Sequence, residues 1–413
     1  MSPSLPYPIS LPALADSQVT RVGVKSPEDV VVVSAVRTAL AKGKKGGFKD
    51  VLADELLCHV LKATIERTGI DPALVQDITV GNVSGKGGLA TASRMASLAA
   101  GFPETTSVST LNRQCSSGLQ ACVQIASAIQ CGLIDIGVGA GVESMTSDYF
   151  GRVIPLSEKL SKNPVVNDCK IPMGITSENV AAQYGITREE QDSFSVDSHK
   201  KAAAAQKAGL FKEEIVPCTV TTIDKDGKEK TIVVDQDEGI RASSTVEGLG
   251  KLKPAFIPTG STTAGNASQI SDGAAAVLLM KRKTAQKLNL PILGKYVTSA
   301  SVGVPPSVMG VGPAYAIPVA VERAGLKISD VDIYEINEAF ASQALYTVKV
   351  LDIPMEKVNP KGGAIAIGHP LGCTGARQVA TLFPELKRQN KRIGVTSMCI
   401  GSGMGMAAIW ERE

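Results

Sequence analysis

The chain has 413 residues, of which 44% are hydrophobic and 20% charged, and its formal net charge is +3. This balance is typical of a folded globular protein, and so small a positive charge does not favour nucleic-acid binding. A chain of this length exceeds one ordinary hydrophobic core, so we expect two or three domains or two fused similar halves. No apolar run reaches the roughly 18 residues that a membrane-spanning helix needs.

Cysteine and histidine usage limits the metal and redox chemistry that we expect. None of the eight cysteines forms a CxxC pair, and the Cys, His and carboxylate positions show no spacing typical of zinc sites. We therefore predict a reduced, intracellular protein without a metal. Of the three histidines, His59 and His199 occupy polar positions of charged helical segments, so we expect both at the surface.

The first part of the chain alternates short apolar runs with helical patterns. Residues 1–27 are rich in Pro and Ser and lack the features of a secretory signal, so we predict a disordered leader there. Strands are predicted at 30–33, 78–81, around 108 and at 135–141, and helices at 52–67 and 90–100. This alternation predicts an α/β layered architecture.

A cysteine stands at the start of the next helical segment. Residues 109–116 are polar and turn-prone, and from Leu119 to Ile129 the apolar positions recur with helical spacing. Cys115 should therefore meet the unpaired N–H groups and the positive end of the helix dipole. That environment favours the thiolate, which is the nucleophilic form of cysteine. Taken alone, a cysteine at a helix start is more often a small buried residue than a nucleophile.

Residues 144–265 have a different character. Charged helices are predicted at 178–184 and 188–209, and a polar hairpin at 219–234 turns at Asp226-Gly227. We predict an inserted loop subdomain here, with loops suited to a large ligand. The N-terminal half then comprises residues 28–143 and 266–292, and the C-terminal half residues 293–413. The α/β pattern resumes with strands at 274–280, 332–335 and 393–397 and helices at 314–324 and 339–350, and a faint similarity between the two α/β stretches suggests duplication.

Three segments of the C-terminal half could carry chemistry. Asn337 follows a strand at a predicted helix start, where an ordinary N-cap is the alternative role. His369 lies between glycines that let a substrate approach, and an imidazole that reaches Cys115 would activate its thiol. Cys399 precedes a Gly-Ser-Gly-Met-Gly loop whose N–H groups, including that of Gly401, can form an oxyanion hole. A buried cysteine before a tight turn is the alternative interpretation of Cys399.

Together these segments resemble the signature motifs of the thiolases. The matching stretches are Asn-Arg-Gln-Cys115-Ser-Ser-Gly, Asn337-Glu-Ala-Phe, Gly-His369-Pro-Leu-Gly-Cys-Thr-Gly-Ala-Arg and Cys399-Ile-Gly-Ser-Gly-Met-Gly. They occur in the order of the family, and the resemblance extends from about residue 28 to the end of the chain. Residues 172–179 and 260–266 are most similar to the peroxisomal 3-ketoacyl-CoA thiolase branch. The resemblance implies the thiolase fold, in which two similar α/β halves form a layered αβαβα core with an inserted loop domain.

The resemblance also implies an acyltransferase that performs the last step of fatty-acid β-oxidation. Such an enzyme uses CoA to cleave 3-ketoacyl-CoA into acetyl-CoA and an acyl-CoA two carbons shorter. Cys115 would attack the keto carbon, His369 would take the proton of Cys115, and Cys399 would protonate the acetyl-CoA enolate. The oxyanion donors would be His369 with a water held by Asn337 at one site, and the N–H groups of Cys115 and Gly401 at the other.

The same resemblance implies how CoA is used. CoA would be a co-substrate rather than a tightly bound cofactor, and its contacts would fall on Arg241, Ser268 and Met309. The Arg241 guanidinium suits the nucleotide end, since it can pair with phosphate and stack on adenine. A solvated surface arginine is the alternative role of Arg241, and an ordinary core residue that of Met309.

Branch features give the remaining expectations. Pro172 stands where acetoacetyl-specific biosynthetic thiolases carry a histidine, which favours a broad, degradative range of chain lengths. The tetramer-forming loop of those enzymes is not recognisable, so we expect a homodimer. A peroxisomal location follows from the branch alone, because no clear targeting signal is found, and the cytoplasm is the alternative.

Three other functions fit parts of the sequence. An acetoacetyl-CoA acetyltransferase would run the Claisen condensation and act only on the four-carbon substrate. A non-catalytic acyl-CoA or lipid carrier would bind CoA without turnover. A cysteine hydrolase would leave Cys399 and its glycine loop without a role. Competent residues at all four catalytic side-chain positions favour the thiolase reaction.

Overall fold

The computed structural model describes residues 21–147 and 155–413. Its strands are β1 (Val30–Arg37), β2 (Ala41–Lys42), β3 (Asp77–Gly81), β4 (Ser107–Leu111), β5 (Ile136–Ser144), β6 (Cys218–Ile223), β7 (Glu229–Val234), β8 (Ser271–Lys281), β9 (Gly294–Gly303), β10 (Ile333–Ile336), β11 (Ile393–Ile400) and β12 (Met404–Arg412). Its α-helices are α1 (Ala53–Thr68), α2 (Ala90–Ala99), α3 (Ser117–Gln130), α4 (Pro164–Asp168), α5 (Met173–Tyr184), α6 (Arg188–Lys207), α7 (Val246–Gly250), α8 (Arg282–Lys287), α9 (Gly312–Arg323), α10 (Ala341–Val350), α11 (Ala364–Ile367) and α12 (Thr374–Arg388). The predicted α/β alternation is confirmed, and β9 and β12 are strands that the pattern did not predict.

Ten strands form one mixed sheet in the order β10-β11-β12-β9-β1-β8-β5-β3-β4, with β2 paired to β8. β6 and β7 form a separate hairpin at the predicted position. Strands β3, β4 and β5 are mutually parallel, as are β10 and β11, whereas β8 and β12 run antiparallel to their neighbours. The two halves of the sheet join at its centre through a short antiparallel contact between β1 and β9. Residues 30–33 and 274–280 are buried along their whole length, as expected for strands covered on both faces.

The two halves of the sheet have the same strand order. From the central contact outwards, the N-terminal half runs β1-β8-β5-β3-β4 and the C-terminal half runs β9-β12-β11-β10. An isolated parallel bridge from Tyr334 to Val358 occupies the place that β4 takes in the first half. The faint duplication in the sequence therefore corresponds to a repeated strand order.

The strand register matches individual positions of the two halves. Gly81, the last residue of β3, pairs with Gly141 of β5, and Ile336, the last residue of β10, pairs with Ser397 of β11. Counting onward from these pairs matches Asn82 with Asn337 and Glu143 with Cys399. The antiparallel partners agree, since Glu143 lies opposite Gly273 and Cys399 opposite Gly405.

Helices α3 and α12 form the middle of five layers. α3 packs on β3 and β5, α12 packs on β8 and β11, and the two helices contact each other. α1 covers the outer face of the first half and α9 that of the second. A Cβ on Gly118 would lie 2.5 Å from the Gly372 carbonyl oxygen, and one on Gly375 would lie 2.1 Å from the Leu119 nitrogen. Glycine is thus required where the N-termini of α3 and α12 meet.

A buried ion network fastens the 144–265 segment to the core. The Arg37 guanidinium at the end of β1 binds Glu214 and Asp237, and Lys361 binds Glu214 as well. All four side chains are almost completely shielded from solvent. Each charge has a hydrogen-bonded partner, which is the condition under which buried ions are tolerated. The domain boundaries given above stay a prediction.

Part of the predicted leader is ordered against the last strand. The Gly23 N–H donates to the Glu411 carboxylate at 2.9 Å, and the Lys295 ammonium donates to the Arg21 carbonyl at 2.7 Å. Residues 1–20 of that leader lie outside the described residues. The prediction of disorder is therefore wrong for residues 21–27, because the buried Lys295 and Glu411 side chains use their backbone as hydrogen-bond partners.

Candidate active site

Cys115 lies in the turn between β4 and α3, immediately before the N-terminus of the helix. Ser116 is the N-cap residue of α3, which confirms the predicted helix start. Cys115 is partly exposed, so its thiol can be reached. The residue before it, Gln114, has a φ of 49°, a left-handed conformation that is costly for a residue other than glycine. Hydrogen bonds from the Gln114 N–H to Asn112 and from the Arg113 N–H to Ser117 hold this turn.

The His369 imidazole is fixed in one tautomer by Thr374. The Thr374 hydroxyl donates its single hydrogen to the Pro370 carbonyl at 2.9 Å, and it lies 2.6 Å from His369 Nδ1. Since the hydroxyl hydrogen is already used, Nδ1 must carry the proton and donate to the Thr374 oxygen. Nε2 is therefore the unprotonated nitrogen, which is the form that a general base requires.

Burial keeps this imidazole neutral. His369 is 3% exposed, and desolvation together with the positive charge of Arg377 lowers its pKa to about 3. Nε2 therefore stays unprotonated across the whole neutral range. The imidazolium becomes favourable only when an anion forms beside it, as happens when a thiol gives up its proton.

Asn337 follows β10 and presents its side-chain amide to His369. The distance from Asn337 Nδ2 to His369 Nε2 is 3.3 Å, and both side chains are buried. The helix after this segment begins only at Ala341, with Phe340 as its N-cap residue, so the N-cap role considered for Asn337 is wrong. Asn337 Oδ1 is buried without a hydrogen-bond partner among the described residues. A bound water or a catalytic role is the kind of explanation that such a buried, unpaired atom requires.

Cys399 lies near the end of β11 and is completely buried. Desolvation raises the pKa of its thiol well above the ordinary value, and a negative charge on Cys115 raises the pKa further. The two thiols are thus close enough to influence each other. Cys399 packs with Met309, Phe340 and Ala339 in a small apolar cluster. This environment keeps Cys399 protonated, whereas Cys115 lies at a helix N-terminus that favours an anion.

The glycine loop after Cys399 lies against the Cys115 turn. A Cβ placed on Gly401 would lie 3.6 Å from Cγ of Gln114. Ser402 and Gly403 both have left-handed φ values, of 64° and 92°. A Cβ on Gly403 would meet the Val304 carbonyl oxygen at 2.4 Å, so only glycine fits there.

Two buried carboxylates, which the sequence analysis did not single out, fix the loops around this centre. Glu143 accepts hydrogen bonds from the backbone N–H groups of Val83, Ser84 and Gly372, and so ties the His369 loop to the turn after β3. Glu338, the residue after Asn337, accepts from three groups: the Ser198 hydroxyl, the Asn359 amide and the Ile365 N–H. The sequence could have indicated Glu143, because it is a charged residue inside an otherwise apolar strand.

The predicted CoA contacts lie at different distances from this centre. Met309 packs directly against Cys399, as described above. The Ser268 N–H donates to the Ala339 carbonyl at 3.0 Å, which places Ser268 beside the segment that follows Asn337. The Arg241 side chain is exposed, and no contact joins it to the catalytic residues within the described structure.

His199 corrects one expectation. It is 3% exposed rather than on the surface, and its Nδ1 accepts a hydrogen bond from the Arg241 N–H at 3.2 Å. Burial and the charge of Arg241 lower the pKa of His199 to about 4. His59 is half-buried, and desolvation lowers its pKa as well. The helix carrying His199 is covered on that side by residues 239–241, which a helical pattern alone cannot indicate.

Within residues 21–147 and 155–413, no group of three His, Cys, Asp or Glu side chains is arranged to hold a metal ion. None of the helices in that part of the chain is long and apolar enough to cross a membrane.

Comparison with known proteins gives consistent matches along the chain. The family model described as "Thiolase, N-terminal domain" matches residues 30–283, and "Thiolase, C-terminal domain" matches residues 290–412. The peroxisomal 3-ketoacyl-CoA thiolase B of Rattus norvegicus is 58% identical over 94% of this chain and 91% of its own length. The crystal structure of the dimeric peroxisomal thiolase of Saccharomyces cerevisiae is 52% identical, covers 97% of this chain and 100% of its own, and has a TM-score of 0.88.

A second structure of the Saccharomyces cerevisiae enzyme bears on the layering. It is 47% identical, covers 95% of this chain and 100% of its own, and has a TM-score of 0.78. That enzyme is described as a five-layered αβαβα structure built from two core domains of identical topology. The thiolase fold expected for this chain is thereby confirmed.

Proposed function

The chain belongs to the thiolase family, and we propose that it catalyses the CoA-dependent thiolysis of 3-ketoacyl-CoA, the last step of fatty-acid β-oxidation. The products are acetyl-CoA and an acyl-CoA two carbons shorter. One observation supports the proposal: the thiols of Cys115 and Cys399 have opposite environments and are close enough to influence each other, and His369 is held as a neutral imidazole. Neither a carrier nor a cysteine hydrolase needs a second thiol that burial keeps protonated at rest.

The first half of the reaction uses Cys115 and His369. His369 Nε2 takes the Cys115 proton, and the thiolate attacks the keto carbon of the substrate. The bond between the α and β carbons then breaks, its electron pair passes to the acetyl-CoA enolate, and the acyl group stays on Cys115 as a thioester. Thr374 supports this role because it keeps the proton on Nδ1 and leaves Nε2 as the acceptor.

Cys399 completes that half and prepares the second. Its thiol, kept protonated by burial, gives its proton to the enolate carbon, and acetyl-CoA leaves. The Cys399 thiolate then takes the proton of the incoming CoA thiol, whose sulfur attacks the Cys115 thioester. The shorter acyl-CoA forms as Cys115 regains its proton from His369, so both thiols end as they began.

Oxyanions form at two places and each has its donors. The protonated Nε2 of His369 and a water held by Asn337 stabilise one, and the backbone N–H groups of Cys115 and Gly401 stabilise the other. The unpaired Oδ1 of Asn337 is available to hold such a water. The close packing of the Gly401 loop on the Cys115 turn supports the second pair.

CoA binds as a co-substrate along a path from the surface to Cys115. Arg241 contacts the nucleotide end, Ser268 the pantetheine arm, and Met309 lines the apolar end beside Cys399. The exposure of Arg241 and the burial of Met309 support this order. Arg241→Ala should raise the KM for CoA and leave kcat nearly unchanged, because the contact exists before and during the chemical step.

The chain acts as a homodimer, as the similar peroxisomal thiolase of Saccharomyces cerevisiae is dimeric. Light scattering on the purified full chain would give twice the monomer mass, and a monomer or tetramer would contradict the proposal. Its location is the peroxisome, since relatives from several organisms carry that location in their names. A fluorescent fusion of the full chain tests the location, and a cytoplasmic signal would contradict it.

The reaction is tested by the CoA-dependent loss of 3-ketoacyl-CoA enolate absorbance. Acetoacetyl-CoA and 3-ketohexadecanoyl-CoA are assayed in parallel, with Cys115→Ser as the control. We expect turnover of both substrates by the wild-type chain and of neither by the variant. Turnover of acetoacetyl-CoA alone would favour an acetoacetyl-CoA acetyltransferase, and CoA binding without any turnover would favour a carrier.

A further inference from the structure

One buried glutamine connects the three elements that carry His369, Asn337 and Cys399. Gln378 lies on α12, one turn after Thr374, and is completely shielded from solvent. Its side-chain nitrogen donates to the Glu335 carbonyl of β10 at 2.9 Å and to the Ser397 carbonyl of β11 at 3.2 Å. A single amide nitrogen therefore bridges a helix and two neighbouring strands.

The two acceptors are closely linked to the reacting groups. Glu335 stands two residues before Asn337, and Ser397 stands two residues before Cys399. The Ser397 carbonyl also accepts the Asn337 N–H at 2.8 Å, so the Gln378 amide and the Asn337 backbone share one oxygen. On the helix side, Thr374 holds His369 Nδ1, as described above.

Gln378 is only a donor in these two hydrogen bonds, through its side-chain nitrogen. Its Oε1 has no partner among the described residues, although it is buried. A methionine of similar shape would fill the same space and remove both donors, which leaves the core packed. The neighbouring Arg377 also joins α12 to β10 through Glu335, but its charge acts on His369, so Gln378 is the cleaner probe of position.

The N-terminal half has no such link at the matching position of α3. Gly118 and Gly375 face each other where α3 and α12 meet, and we take them as equivalent positions of the two helices. Gln378, three residues after Gly375, then matches Ala121 of α3. Ala121 is buried and has no side-chain donor. The bridging amide is thus confined to the half that carries Asn337, His369 and Cys399.

We propose that Gln378 is a positioning residue for thiolysis, which sets the spacing of His369, Asn337 and Cys399 by hydrogen bonding α12 to the ends of β10 and β11. This inference rests on the proposed function. Displacement of a reacting group by about 1 Å can cost roughly 100-fold in rate, so a loosened helix affects turnover more than stability.

The test compares Gln378→Met with Gln191→Met. Gln191 is a matched control, because it is also fully buried, its Nε2 also donates twice, to Ile186 and Ser261, and its Oε1 also lacks a partner among the described residues. We expect Gln378→Met to lower kcat for acetoacetyl-CoA thiolysis by about 10- to 100-fold, with KM for both substrates within about twofold of the wild type. Gln191→Met should keep kcat and lose a similar amount of thermal stability.

Several outcomes would overturn the inference. Wild-type kcat in Gln378→Met, or an equal loss of kcat in Gln191→Met at equal loss of stability, would assign Gln378 a general packing role. If Gln378→Met does not fold, Gln378→Asn replaces it, since the shorter amide keeps its donors but cannot reach both carbonyls. An unchanged kcat in Gln378→Asn would likewise contradict the inference. Absence of turnover in the wild-type chain would instead overturn the proposed function and this inference with it.

Discussion

Asn82 and Glu143 of the N-terminal half occupy the same places in the fold as Asn337 and Cys399 of the C-terminal half. The two pairs differ in the hydrogen bonds that they make. In the N-terminal half, the Asn82 amide donates to the Val142 carbonyl at 2.9 Å and to the Glu143 carboxylate at 3.3 Å. Asn82 Oδ1 accepts the Gly85 N–H, so every polar atom of that side chain has a partner. In the C-terminal half, Asn337 Oδ1 has none within the described structure, and Cys399 replaces the anchoring carboxylate.

The difference shows how a duplicated framework can divide its tasks. At these positions the first half pairs its polar groups, with Glu143 also accepting the Gly372 N–H of the second half, and this fixes the turn after β3 against the His369 loop. The second half leaves the Asn337 Oδ1 unpaired among the described residues and places a buried thiol, that of Cys399, near Cys115. Substitutions at matched positions should therefore separate stability from catalysis.

The largest expected difference is between Cys399→Ala and Glu143→Gln. Loss of the proposed proton donor should lower kcat about 1,000-fold, with a small loss of stability because the site stays apolar. Glu143→Gln removes an acceptor of several buried N–H groups and should cost about 3 kcal/mol of unfolding free energy, while the folded fraction keeps kcat within about tenfold. Initial rates and denaturant unfolding of each variant are the measurements. Equal activity loss in both, without a stability difference, would contradict the division.

The matched asparagines give the next comparison. Asn337→Ala should lower kcat about 100-fold by removing an oxyanion contact, with little change in stability. Asn82→Ala should instead lower the unfolding free energy by about 2 kcal/mol, because the Gly85 N–H loses its partner and Glu143 loses one of its donors. The same two assays apply. A catalytic loss in Asn82→Ala larger than that in Asn337→Ala would show that the halves are not divided in this way.

A smaller effect is expected at Thr374, which orients His369 without being a proposed reacting group. Thr374→Val keeps the shape but removes the oxygen that accepts the Nδ1 proton, so the other tautomer gains and kcat should fall about 10-fold. Thr381→Val on the same helix is the control, since the Thr381 hydroxyl donates to Glu214, which belongs to the buried ion network. If both variants lose kcat equally, Thr374 acts through helix stability alone.

Much of this site could be predicted from the sequence. The helix start after Cys115, the strand before Cys399 and the thiolase motifs all depend on local patterns of glycine, cysteine and apolar residues. The burial of His199 and the hydrogen bond that His369 donates to Thr374 depend on segments far apart in the chain or on side-chain orientation, so no local pattern could indicate them. The roles of Glu143 and Gln378 likewise arise only when two strands and a helix meet.

Two whole strands were missed for a similar reason. β9 contains Lys, Thr and two Ser residues, and β12 follows a glycine loop and contains small residues, so neither has a strong β pattern. Tertiary pairing stabilises them: β12 lies between β11 and β9 and pairs with both along most of its length. Strand propensity depends on such context more than helix propensity does.

The smallest expected effect concerns pH and stability. The pKa of His369 in the folded protein is about 3, below its ordinary value of 6.5, so the unfolded chain binds the extra proton first. His369 therefore contributes stability above pH 6.5 that is lost as the pH falls below that value, by up to about 1.4 kcal/mol per pH unit. His369→Asn should flatten the loss between pH 6.5 and pH 5 in denaturant unfolding experiments.

Glu335 acts in the opposite direction and provides the control. Burial raises its pKa from 4.5 to about 7, so the folded protein holds a proton that the unfolded chain releases. The stability that Glu335 contributes is present below pH 4.5 and is lost as the pH rises towards 7. Glu335 therefore opposes the effect of His369 on stability between pH 4.5 and pH 6.5. Glu335→Gln should therefore steepen the acid-induced loss of stability that His369→Asn flattens. Slopes that change in the same direction in the two variants would show that the acid response of the C-terminal half does not come from these two buried groups.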